Sequence, residues 1–347
     1  MLTARVRVVL VLAALAAGCG KASERPAPSP EVTGLAAVPS SADVVIAVDV
    51  ARLVGSPIVS RAVQQLLMRD AVLAQRYQDL QTSCQLQISQ VKHLMLALGP
   101  PPSDGKPGTG PTLMVATGQL SEPDLVSCVR EMVGKGSGSL VVKTVSGRTL
   151  YQVKDGNRTV FMAFGRADTV VLGTSDSYVL EALGTGKKAS DHPELAAWLK
   201  RVDQHAPLWA VGRVGPRVGA GLVRVTEAKL KAGPSAFVGT ADLTAGAKLV
   251  LGAVMASPED AKQLESMAKQ SLVRFVMAAQ LKSLGQVVQK VGIAADGNLV
   301  RFQADLSLDD VNHVLSMLDG GGPAAQDSPP AAGSGSSTSG PAPTPSQ

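Results

Sequence analysis

The side chains best equipped for chemistry in this chain are three cysteines, four histidines and two acids that bracket one apolar run. Cys84 and Cys128 could form a disulfide, or could stay as two small buried thiols. Cys19 stands apart, directly behind Ala16-Ala17-Gly18. His93, His192, His205 and His313 include no pair at the three- or four-residue spacing of a helix-borne zinc site, and His-Glu-x-x-His is absent. No metal site is expected. Asp43 and Asp49 are six residues apart, which in a strand places both on one side, where paired acids could exchange protons. The simpler use of each is strand-end solvation or turn capping. Trp209 lies within an apolar run and is expected in the core.

Glycine-rich stretches lead to the same expectation. Gly184-Thr185-Gly186-Lys187-Lys188 has Glu181 where a phosphate loop needs its first glycine and Lys188 where it needs Ser or Thr, and it follows a predicted helix. It reads as a helix C-cap. Gly134-Lys135-Gly136-Ser137-Gly138 also follows a helix and lacks dinucleotide-binding spacing. The Gly-x-Ser-x-Gly elbow of serine hydrolases is absent. No catalytic residue, cofactor or enzymatic activity is expected. A dispersed catalytic site would require a pocket that gathers Asp, His and Ser.

Cys19 ends a recognisable pattern. Arg5 and Arg7 open the chain, and Val6 to Ala17 is otherwise apolar. A charged start, a short apolar run and small residues form the plan of a secretion signal over residues 1–18. The run falls short of the about 20 residues needed to span a bilayer. Leu15-Ala16-Ala17-Gly18-Cys19 resembles a bacterial lipobox, with Leu one place earlier than usual. That resemblance implies cleavage before Cys19 and acylation of its sulfur and amino group, so that Cys19 tethers the protein to a membrane through N-terminal acyl chains. Gly20 follows where related lipoproteins kept at the inner membrane commonly carry Asp, which implies the outer membrane, facing the periplasm. An oxidising compartment favours the Cys84–Cys128 disulfide over free thiols.

Composition narrows the partners. Hydrophobic residues make up 45% of the chain and aromatics 3%, so a core is affordable but must be built from Val, Leu, Ala and Met. The formal charge is +5, of which Arg5 and Arg7 contribute two. No basic run carries interleaved aromatics, so nucleic acid is not an expected partner. No later stretch reaches the roughly 18 consecutive apolar residues of a membrane helix.

The elements that must position these residues are short strands and capped helices. Residues 19–38, with Pro26, Pro28 and Pro30, read as a flexible tether behind the anchor. Asp43 to Val50 reads as a buried strand. Ser56 and Pro57 open a helix expected to run to about Leu80. Val91–Leu98 and Thr112–Thr117 are predicted strands, Ser121 opens a helix, and a meander of strands follows with a turn at Asp155-Gly156-Asn157. Ser175 opens another helix. Much of this order recurs. Ala206 to Val214 resembles Ala42 to Val50, and Leu249–Val254 followed by Ser257 resembles Leu113–Gly118 followed by Ser121. Asp296-Gly297-Asn298 resembles Asp155-Gly156-Asn157, and Ser307 opens a helix as Ser175 does. The expected class is α+β: two related halves of largely antiparallel sheet with packed helices. The first domain is expected over 39–188 and the second over 189–319. Residues 320–347 are Gly, Pro, Ser, Ala and Thr with one acid, the composition of a disordered tail.

The lipobox, the proline-rich tether and the opening Pro39-Ser40-Ser41-Ala42-Asp43-Val44-Val45 together resemble uncharacterised lipoproteins of high-GC Gram-negative bacteria. That resemblance implies an envelope address and supplies no catalytic residues. Two functions fit. One is a non-catalytic envelope protein that binds or scaffolds a protein partner. The other is a periplasmic module that holds a small or lipidic ligand between its two halves.

Overall fold

Among the described residues, runs of Val, Leu and Ala bounded by Gly, Pro and Ser produce twelve short strands, and all twelve join one antiparallel sheet. The computed structural model describes residues 32–82, 84–102, 109–136, 138–225, 230–280 and 285–318. Cys19, the signal expected at 1–18 and the tail expected at 320–347 lie outside these residues. The first half contributes β1 (Val44–Asp49), β2 (Val91–Leu98), β3 (Thr112–Gly118), β4 (Ser139–Val145), β5 (Arg148–Asp155), β6 (Arg158–Arg166) and β7 (Thr169–Gly173). The second contributes β8 (Leu208–Arg213), β9 (Ala236–Asp242), β10 (Gly246–Val254), β11 (Val291–Asp296) and β12 (Leu299–Ser307). Their spatial order is β11-β12-β10-β9-β8-β1-β2-β3-β7-β6-β5-β4.

Read outward from the centre, β1-β2-β3-β7-β6 and β8-β9-β10-β12-β11 follow the same path. The halves meet where β1 pairs with β8. When residues 42–50 are laid on 206–214, Ile46 and Ala210 are counterparts, and they are also cross-strand partners. The two halves are therefore related by an approximate twofold axis between Ile46 and Ala210, as in an isologous contact. The β4–β5 hairpin is extra. One expected landmark is corrected by this path. Gly156 and Gly297 both take positive φ in two-residue loops, but the first joins β5 to β6. The true counterpart of the β11–β12 turn is the β6–β7 turn. Two-residue loops favour such glycines wherever they occur, so turn chemistry does not track ancestry.

Among the described residues ten α-helices clothe the sheet. After β1 come α1 (Val50–Leu53), α2 (Pro57–Arg69) and α3 (Ala71–Thr82). Ser56 caps α2 as expected, accepting from Val59 N at 3.3 Å, with Pro57 in the first turn. The helix expected to continue to Leu80 breaks at Asp70, which is extended at φ −126°. Its carboxylate accepts from Leu73 N at 2.9 Å and starts α3. Beyond β3 lies α4 (Glu122–Gly134), and beyond β7 lie α5 (Asp176–Leu183) and α6 (Pro193–Leu199). The second half adds α7 (Pro216–Val225), α8 (Pro258–Gln280), α9 (Gly285–Gln289) and α10 (Leu308–Leu318).

The main core lies on one face. Tyr178, Val179, Ala182 and Leu183 of α5 and Leu195, Trp198 and Leu199 of α6 pack with Val45, Leu113, Val171 and Val211 of the sheet. Val32, Ala37 and Val38 join them, each at most 1% exposed. Residues 32–38, assigned by composition to the tether, therefore belong to the folded body. Their apolar side chains find a core that a Pro count does not reveal. On the other face, α4 covers Met162 and Val170, and α8 covers Val300 and Ala253.

The counterpart helices α5 and α10 differ. Val311 of α10 packs with Ala247 and Leu306, which share the face of Ala253 and Val300. On the face where α5 would have its equivalent, β12 presents Arg301, Gln303 and Asp305. Beside the three polar side chains that face offers an amphipathic helix little beyond Val250 and Leu299, and α10 takes the opposite face.

Candidate functional site

In antiparallel strands, directly paired residues point to the same side, so the register shows what each face carries. One cross-strand row runs Val142, Tyr151, Met162, Leu172, Met114, Leu96, Ile46, Ala210, Gly239, Leu251, Phe302, Ile293. It crosses all twelve strands without one charged side chain. The neighbouring row on the same face, through Leu94, Val48, Leu208, Ala241 and Leu249, is also apolar.

The two ends of this face are packed and the middle is not. Tyr151 and Phe164 meet edge to face with ring centroids 6.3 Å apart, within the cluster under α4. The Tyr151 hydroxyl donates to Glu122 Oε1 of α4 at 2.6 Å. That acceptor, helped by burial, pushes the phenol up to about 12. Phe302 and Ile293 pack under α8. Between them, Ile46, Leu96, Ala210 and Leu251 belong to none of the packed clusters of described residues. Leu251 is 53% exposed. One position along the same strands, on the reverse face, Val45, Val211 and Leu113 are fully buried. A contiguous apolar patch left open to this extent marks an interaction or ligand surface more often than a tolerated accident.

Helices α2 and α3 form a strap across this face. Its first root stands on the second half. Ser56 donates its hydroxyl to the Leu243 carbonyl, Ile58 packs with Ala247 and Val311, and Arg61 donates to Asn312 Oδ1 at 3.0 Å. Its second root stands on the first half. Arg76 meets Asp155 Oδ2 at 3.2 Å, and just beyond α3 the Cys84–Cys128 disulfide joins the strap to α4. The two Cα atoms are 4.9 Å apart, inside the roughly 4.4–6.8 Å that a disulfide requires. Between the roots nothing is deeply buried: α2 buries only Ile58, and α3 buries no residue.

Beneath the strap lies a cavity of about 700 Å³. Val59, Val63 and Leu67, one helical turn apart on α2, face it together with Tyr77 of α3, Leu53 of α1 and Val48 of the floor. Its polar lining is neutral, from Ser60, Gln64, Gln81, Gln87 and Ser89. No charged side chain lines it among the described residues. Pockets of about 300–1,000 Å³ with mostly apolar walls suit small ligands.

A second cleft, of about 590 Å³, opens on the reverse face at the C-terminal end of β1. Trp209, Met95 and Val115 line it beside Asp49, His93, Arg52 and His205. The acids and histidines of the sequence analysis are thus partly brought together. Asp49 caps α1 by accepting from Arg52 N at 3.1 Å, and lies 4.0 Å from His93 Nδ1. Arg52 donates to the His205 carbonyl at 2.8 Å. Asp43 sits at the other end of the strand, about 20 Å away at 3.3 Å per residue, and meets Arg213 Nε at 3.3 Å. The two acids therefore form no pair, and each does the capping or solvation work of a strand end. His192 caps α6, accepting from Leu195 N at 3.5 Å. Trp209 is 5% exposed and belongs to the core cluster. No serine joins the cleft, and no cluster of His, Cys, Asp and Glu able to hold a metal occurs among the described residues. No helix among them is long and apolar enough to cross a membrane.

The strap and its floor were not singled out by the sequence. A signal existed in Val44-Val45-Ile46-Ala47-Val48, which is apolar at both strand parities, as in strands covered on two faces.

No protein-family model matches this chain, and no curated protein matches it. Among solved structures it is similar to crystal form III of TP0453, at 12% identity and a TM-score of 0.45, covering 82% of this chain and 98% of that one. Crystal form I of TP0453 matches at 12% identity and a TM-score of 0.42, covering 84% and 99%.

Proposed function

We propose that this chain is a non-catalytic, lipid-anchored protein of the bacterial envelope that holds an apolar, chain-like ligand in the trough shared by its two halves. A lipid acyl chain has the required chemistry. The observation that carries the proposal is the neutral cavity beneath the strap, whose floor residue Val48 lies two positions along β1 from Ile46, on the face of the uninterrupted apolar row through Leu96, Ile46, Ala210 and Leu251. The strap decides the size of the occupant. A helix of another protein, 10–12 Å across, would have to displace it, whereas a slender chain can lie beneath it. The neutral lining favours an uncharged hydrocarbon over a charged ligand. Acylation of Cys19 and an outer-membrane address facing the periplasm belong to the same proposal and rest on the lipobox resemblance.

The protein-binding alternative has one observation in its favour. Leu66, Met68 and Val72 on the strap are 54%, 78% and 66% exposed, and such residues suit contact with a protein partner.

The test uses a Cys19→Ala form, which lacks the protein's own acyl chains and is expected in the soluble envelope fraction. Organic extraction of the purified form followed by mass spectrometry should release lipid. Delipidated protein should take up a fluorescent fatty acid at about one equivalent. Absence of extractable lipid together with no probe uptake would overturn the ligand-binding reading.

A further inference from the structure

The strap joins the two halves, and its two roots are held by different means. At the α2 end, hydrogen bonds from Ser56 and Arg61 and the packing of Ile58 attach it to α10 and β10. At the α3 end, the Arg76–Asp155 pair is exposed on both sides, at 48% and 63%, and such pairs hold weakly. The α3 end is held by the bond between Cys84 and Cys128, beyond which Leu86 packs against the cluster under α4. Helix α3 buries no side chain that could keep it down. Residues Val63, Leu67 and Tyr77, which roof the cavity, lie between these roots.

We infer that the Cys84–Cys128 disulfide is the latch of the ligand cavity: it holds the strap over the apolar floor and so controls how fast a hydrocarbon ligand enters and leaves. This rests on the ligand-binding reading above. A disulfide that only stabilised the fold could sit anywhere in the body. This one ties a helical segment that buries almost nothing to the helix α4 that is packed on the sheet. Cutting it leaves the first root intact, so the strap would swing from the α2 end with Ile58 still seated. Cys84 and Cys128 are thus positioning residues and need not touch the ligand.

The experiment compares release of a bound fluorescent fatty acid from the delipidated Cys19→Ala protein, oxidised, with release from its Cys84→Ser/Cys128→Ser derivative. Circular dichroism confirms that both are folded. Dissociation should be about tenfold faster without the bond, since most affinity differences between related complexes appear in the off-rate. The oxidised protein treated with dithiothreitol should match the double variant, and reoxidation should restore slow release. This second measurement serves if the variant folds poorly. Equal release rates from oxidised and reduced protein, with binding retained, would overturn the latch and leave the ligand reading standing. No uptake by the oxidised protein would overturn both.

Discussion

The two faces of the central strands are made of the same residue types and have opposite fates. Val45, Val211 and Leu113 on one face are sealed under α5 and α6. Ile46, Ala210, Leu96 and Leu251, one residue along the same strands, belong to no packed cluster of described residues, and the strap that crosses this face at Val48 buries almost nothing. Hydrophobicity alone does not separate them. The difference lies in what the connections deliver to each side. On the sealed face, α5 and α6 arrive with Leu183, Leu195 and Leu199 aimed at the sheet. On the other, the cluster under α4 reaches inward to Ala116 and Leu94 and that under α8 to Ala253, short of Ile46 and Ala210, and the segment that crosses the face is anchored at its ends. An apolar surface held open by fixed roots can serve a ligand, whereas one free to collapse becomes core.

The sharpest way to break this comparison is to truncate one leucine on each face. Leu113→Ala on the sealed face should destabilise the protein by about 2–5 kcal/mol, the usual range for a buried leucine. Leu96→Ala, on the neighbouring strand but the open face, should cost clearly less. Urea denaturation of both variants reads the difference. Equal losses would mean that the open face is packed after all.

A smaller effect on stability, paired with a larger one on binding, is expected for Leu251→Lys. The residue is 53% exposed, so unfolding free energy should change by no more than about 0.5 kcal/mol. A charge on the trough floor should nevertheless weaken fatty-acid binding about tenfold, or roughly 1.4 kcal/mol. Unchanged affinity would separate the trough from the ligand.

The smallest effect concerns the first root of the strap. Asp310, in the first turn of α10, is held down to about 2 by Lys290 and by the Ser307 hydroxyl, which donates to it at 2.7 Å. A folded-state value below the unfolded one of about 3.9 adds stability at higher pH, and that stability is lost as pH falls from about 4 through 2. Asp310→Asn should therefore flatten part of the fall in thermal midpoint over that window. An unaltered acid limb would show that this pair does not hold α10.

Several of these features were legible in the chain itself. Strand β1, the Ser56-Pro57 helix start and the serine-capped helices α5 and α10 follow from local signals that act within a turn or two. The doubling of the architecture was visible in the likeness of 206–214 to 42–50. The break at Asp70 was not, because the apolar spacing runs through it and only the Asp70 cap shows where one helix ends. Nor were residues 32–38 readable as core, since nothing local distinguishes Val32 or Val38 from a tether.

By itself, the sequence determined which stretches form strands and helices, that the sheet is antiparallel and that a disulfide is chemically possible. These are short-range properties of residue type and spacing. Tertiary structure alone decided that β1 and β8 meet at Ile46 and Ala210, that α10 leaves the face its counterpart α5 covers, and that Cys84 finds Cys128 across a separation of 44 residues. It also decided which of two equally apolar faces is sealed. That choice depends on where distant helices land, and no window of neighbouring residues contains it.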